Sequence, residues 1–97
     1  MTPDINYSFL PKHMQEGMKL YIEQGIPPGS FLEAIITNNF VGAFERADDI
    51  NKFALEKYAQ FLICEAPRGC WGSITVMNAW IQYKGFSELR EKTSAER

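Results

Sequence analysis

Two adjacent prolines, Pro27-Pro28, constrain this chain more than any other feature, because they stand between two segments that both carry helical periodicity. Proline has no N–H to donate and holds the residue before it in extended conformations, so no helix crosses this point. Gly25 precedes the pair as a left-handed terminator. Ser30 follows it as a candidate cap, with Glu33 three residues on in the reciprocal capping-box spacing. Residues 25–34 therefore predict a stiff corner that ends one helix and starts the next.

The periodicity on either side fills in the helices. A first helix is expected over 11–24, since proline is tolerated at the first position and Met14, Met18, Tyr21 and Ile22 fall on one face. Gly17 inside it implies either close packing or an exposed site. After the corner, Leu32, Ile35 and Ile36 form a buried face with Phe31 packed back on the turn, and Asn38-Asn39 stops the helix. A short third helix over 40–47 carries Phe40, Val41, Ala43 and Phe44, and Asp48-Asp49 offers a cap to the next. That fourth helix, expected over 50–65, has the strongest stripe: Ile50, Phe53, Ala54, Phe61 and Leu62, widened by Leu55, Tyr58 and Ala59. It is the expected core helix, and burying Phe53, Phe61 and Leu62 would contribute ~1.5 to 3 kcal/mol each. Pro67 ends it, and residues 67–73 form a second stiff turn finishing on a serine cap at Ser73. A fifth helix over 74–84 brings Val76, Met77, Trp80, Ile81 and Tyr83 to a broad apolar side and closes at Gly85.

The pattern predicts an all-α fold, a compact single domain of about five short helices joined by stiff Pro/Gly/Ser turns. Ninety-seven residues leave room for one core. A hydrophobic share of 45%, with 13% aromatic residues, separates the chain from disordered sequences. The expected division is a flexible lead over 1–9, a helical domain over 10–86 and a polar tail over 87–97.

A net charge of −2 argues against a protein that depends on neutralising phosphates, yet falls well short of an acidic DNA mimic. The start of the chain lacks a basic stretch followed by an apolar run, so no secretory signal is expected and the expected compartment is the cytoplasm. The longest apolar runs, such as 61–64, are far too short to cross a bilayer, and no membrane role is expected. Cys64 and Cys70 then read as free thiols rather than a disulfide. Two thiols and the distant His13 leave a tetrahedral zinc site short of ligands, so no metal or other cofactor is expected.

His13 is the only histidine, and Glu16 three residues on could orient it, but no nucleophile is tied to that pair. Asp48-Asp49 lacks the alternating ligands of a calcium loop, and Ser73 lacks a hydrolase elbow. No catalytic residue is assigned, and the chain reads as a non-enzyme. The second and third helices are spaced like a helix-turn-helix, which keeps an accessory nucleic-acid binder as the alternative. Against it, the third helix offers Phe44, Glu45, Arg46 and Asp48-Asp49 where a recognition helix would usually present Arg, Lys, Asn or Gln to base edges. A protein-binding role fits better. Phe31 and Trp71, each on a stiff turn, are candidate aromatic anchors. Glu45, Asp48 and Asp49 form an acidic cluster whose simplest reading is a solvated face. A Met, Tyr or Trp face would serve equally well as a homodimer seam.

One resemblance extends this reading. Residues 10–18, the corner from Tyr21-Ile22-Glu23 to Ser30-Phe31-Leu32, Asn38-Asn39, Ala47-Asp48-Asp49 and residues 67–73 together resemble a group of short phage and prophage proteins. The likeness spans about 10–81. It implies an origin on mobile elements, where small accessory proteins, anti-CRISPR proteins among them, often counter host defences. The implied function is a phage-encoded protein, acting in the host cytoplasm, that binds and blocks a host protein or ribonucleoprotein complex. In the anti-CRISPR version Glu45, Asp48 and Asp49 engage a basic surface and compete with DNA there.

Overall fold

The structure, a computed structural model, describes residues 5–85, and every regular element among them is helical. Six α-helices follow one another: α1 (Lys12–Gln24), α2 (Ser30–Ile36), α3 (Phe40–Arg46), α4 (Asp49–Phe53), α5 (Leu55–Cys64) and α6 (Ile74–Gln82). Two 3-10 turns, Tyr7–Phe9 and Arg68–Cys70, complete the frame. The protein is thus a small all-α domain. The tail expected over 87–97 lies outside the described residues. Within the expected lead, residues 7–9 pack on the core: Tyr7 stacks on Phe61 at 5.6 Å and its hydroxyl donates to Glu23 at 3.0 Å.

The corner at Pro27-Pro28 closes α1 at Gly25, whose φ of 68° is left-handed and whose N–H donates to Tyr21 O at 2.9 Å. Glycine is required here for a second reason that the sequence does not show. The end of α6 runs against it backbone to backbone, and a Cβ on Gly25 would lie 2.6 Å from Lys84 Cα. Gly85 meets the same contact from the other side, 2.5 Å from Ile22 O. Beside this contact the Trp80 indole donates to Tyr21 O at 3.1 Å and Ile22 O at 3.0 Å, satisfying carbonyls at the end of α1. The capping box expected at Ser30 does not form. Gly29 is the N-cap of α2, Ser30 is its first helical residue, and the cap carries no side-chain bond.

The second turn is anchored at both ends. The Tyr21 hydroxyl donates to Cys70 O at 2.7 Å, Gly72 N–H to Ile36 O at 2.8 Å, and Ser73 caps α6 as its position predicts, through Val76 N–H. Met18, Tyr21 and Ile22 of α1, Ile36 of α2, Tyr58 and Phe61 of α5, and Met77 and Trp80 of α6 fill the core. Gly17 stands where Leu32 Cδ1 would come within 3.2 Å of a Cβ, so it lets α2 close on α1.

The expected fourth helix is divided. At Ala54 (φ −100°, ψ 4°) the chain leaves helical geometry and its N–H bonds Asn51 O, a three-residue closure that separates α4 from α5. The stripe on either side no longer lines up. α5 buries Tyr58, Phe61 and Leu62 as expected, whereas Ile50 and Phe53 of α4 are exposed, Phe53 to 92%. Asn51 faces the core instead and is the acceptor of the Tyr58 hydroxyl at 2.7 Å.

Candidate interaction surface

The α3–α4 junction gathers the acidic residues that the sequence brings close. Glu45 stands near the end of α3, Asp48 caps α4 through Asn51 N–H at 2.7 Å, and Asp49 opens α4; all three are exposed. Asp48 has a further partner that lies 35 positions away, His13 Nε2 at 3.0 Å. The sequence pairs His13 with Glu16 because they share a helix face, but the structure ties it across the molecule to Asp48. Acceptance of the Asn51 N–H, followed by the His13 contact, holds the Asp48 carboxyl below its ordinary value.

From Asp48 the polar chain continues inward. Asn51 carries its side chain at 3% exposure, Tyr58 donates to it, and Tyr58 meets Phe31 edge-to-face at 5.2 Å. Burial pushes the Tyr58 hydroxyl well above the ordinary tyrosine range, so it remains a donor. This series ties α1, α4, α5 and α2 together. It also overturns the reading of Phe31 as an exposed anchor. Phe31 is 7% exposed, because the corner turns its ring inward onto Tyr58 rather than out to solvent. Trp71 is half-buried and its indole N–H is enclosed without a hydrogen-bond partner, so the two turns do not form a shared exposed aromatic patch.

Aromatic exposure lies elsewhere. Val41 and Phe44 on α3, and Ile50 and Phe53 on α4, are each more than half exposed. Lys52 Nζ of α4 stands 5.4 Å from the centre of the Phe44 ring of α3, so the two short helices meet at this point, and their exposed apolar side chains with the neighbouring carboxylates make up the α3–α4 ridge. Sequence reasoning placed Phe53 in the buried stripe of the fourth helix and so missed it as a surface residue, whereas Phe44 is read there among the residues that the third helix presents. A stripe looks the same whether or not anything covers it.

The two thiols occupy different environments. Cys64 is exposed at the end of α5, while Cys70 is 1% exposed and its thiol is pushed up to about 12 by burial. Among the described residues no group of three or more His, Cys, Asp or Glu side chains is placed to hold a metal ion, and no helix is long and apolar enough to cross a membrane.

The structure thus shows a small all-helical protein whose α3 and α4 expose Phe44 and Phe53 and carry the carboxylates of Glu45, Asp48 and Asp49. Comparison of the chain with protein-family models, with curated proteins and with solved structures finds no match in any of the three.

Proposed function

We propose that the protein is non-enzymatic and acts by binding, with the α3–α4 ridge as its working surface and a host protein or ribonucleoprotein complex as its target. The observation that carries this reading is the exposure of Val41, Phe44, Ile50 and Phe53 beside Glu45, Asp48 and Asp49. Large exposed apolar side chains gathered on one surface and rimmed by charge mark interaction sites, and aromatic residues supply most of the binding free energy at such sites. The acidic border suits a basic partner. That is the arrangement expected of a phage accessory protein, an anti-CRISPR protein for example, that competes with DNA for a basic surface. The exposed positions of α3 are Phe40, Val41, Phe44, Glu45 and Arg46, of which Arg46 alone is a base-reading donor, and this favours a protein partner over direct nucleic-acid binding.

Affinity capture from host lysate tests the reading with paired variants. Phe44→Ser/Phe53→Ser removes the anchors, and Glu45→Lys/Asp49→Lys reverses the border while leaving the Asp48 cap in place. Wild type should retain a defined host species that both variants lose while keeping their circular dichroism. Retention unchanged in both variants refutes the ridge as the working surface.

A further inference from the structure

A cation and an aromatic ring meet between α3 and α4. Phe44, near the end of α3, is 51% exposed, and Lys52 of α4 brings its Nζ to 5.4 Å from the ring centre. A cation at this distance is drawn to the negative π face. Each helix also carries a carboxylate next to the group it brings to the contact. Glu45 follows Phe44 directly, and Asp49 stands three positions before Lys52, a spacing that puts both on one side of α4. Both carboxylates are exposed, and among the described residues neither forms an ion pair; Lys52 reaches the ring instead of Asp49. Arg46, the other cation of α3, is directed elsewhere. It folds back over the buried Gly42, where a Cβ would meet its Nη1, and positions 42 and 44 point to opposite sides of a helix.

We propose that the Phe44 face is a guanidinium site, filled by Lys52 in the free protein and taken over by an arginine of the basic partner. The site belongs to the α3–α4 ridge and rests on that reading of it as the working surface; the arginine is the side chain its acidic border receives. An ammonium over the ring must turn from it to meet a carboxylate. A guanidinium is planar, so it lies flat on the ring while the N–H groups at its edge donate to Glu45 and Asp49. Guanidinium is also the more weakly hydrated cation, so the exchange returns the strongly hydrated ammonium to water and brings the less hydrated group onto the ring. Val41, Ile50 and Phe53, all exposed on the same two helices, offer apolar surface to the methylene stem and to the residues beside it.

Two short peptides of equal length and charge test the site, one alternating arginine with serine and the other lysine with serine. Fluorescence anisotropy should show the arginine peptide binding wild type about two- to fivefold more tightly, the range that an exposed cation–aromatic contact supports. Phe44→Leu, which keeps the bulk and loses the π face, should bind the two alike, and so should Glu45→Gln/Asp49→Asn, each with unchanged circular dichroism. In proton NMR the Lys52 ε-methylene, shielded by the ring in the free protein, should lose that shielding as the arginine peptide saturates wild type. Equal binding of the two peptides by wild type overturns the proposal, as does a preference that survives either substitution or a Lys52 signal that stays shielded at saturation. If the ridge variants lose their host protein while wild type binds both peptides alike, the guanidinium site is refuted and the ridge stands. If the arginine preference and the Lys52 shift are both present while host capture ignores the ridge variants, the site is supported and the ridge fails as the working surface.

Discussion

Replacing Gly25 by alanine should be among the most damaging single-methyl changes available in this chain. Two costs add. Holding an L-residue at φ 68° costs about 1–2 kcal/mol. The new Cβ would lie 2.6 Å from Lys84 Cα and 2.7 Å from Gly85 N, both backbone atoms, so relief requires the whole end of α6 to move. Overpacking of this kind costs about 1–3 kcal/mol. Against these, alanine removes conformational freedom from the unfolded chain and returns about 0.4–1 kcal/mol. The net loss is then ~1–5 kcal/mol, a large fraction of the ~5–15 kcal/mol that stabilises a domain. With each kcal/mol worth ~4–8 °C at this size, Tm should fall by at least ~4 °C. The control is Gly29→Asp at the same corner, where nothing lies within 4 Å of a Cβ and α2 lacks a side-chain cap. It should raise stability by a few tenths of a kcal/mol. Thermal unfolding followed by circular dichroism measures both. A Gly25→Ala protein melting within ~3 °C of wild type would refute the backbone contact between the ends of α1 and α6, because overpacking there costs at least ~1 kcal/mol, or ~4 °C, beyond the left-handed strain.

Trp80→Phe keeps most of the buried ring but removes the donor to Tyr21 O and Ile22 O; a loss of about 1–3 kcal/mol in urea unfolding is expected, with no change in m-value. Asp48 has a folded-state pKa lowered below its ordinary value of 3.8, so its contribution is complete above that value and disappears as pH falls through the lower folded-state pKa. Asp48→Asn, which can still cap α4, should therefore flatten the acid limb of the stability profile below about pH 4 while leaving the profile's shape near neutrality unchanged. A thiol-reactive disulfide reagent should titrate one cysteine in the native protein, lost in Cys64→Ser, and reach Cys70 only on unfolding.

Legibility differed from element to element for physical reasons. Helix ends were readable wherever a local bond or a local steric restriction decides them. Gly25, Pro27-Pro28, Asp48 and Ser73 each act through atoms within a few residues, and the structure uses each as its position predicts. Ser30 is the local signal that failed: Gly29 took the cap position and left no side chain to make the bond. The fourth helix failed at longer range. Its stripe is continuous in sequence, but burying Asn51 against the Tyr58 hydroxyl turns α4 so that Ile50 and Phe53 face solvent, and Ala54 absorbs the turn.

For the candidate surfaces, the sequence alone brought Glu45, Asp48 and Asp49 together, because four positions of chain allow little else. It also determined the all-helical class and the stiff corner at Pro27-Pro28. Only the tertiary structure decided that Phe31 goes inside while Phe53 stays out, that His13 answers to Asp48 rather than Glu16, and that Gly25 must be glycine for the sake of Gly85. Periodicity specifies that a face is apolar, whereas burial depends on which other segment arrives to cover it. That partner is set by contacts tens of residues apart, which no local pattern encodes.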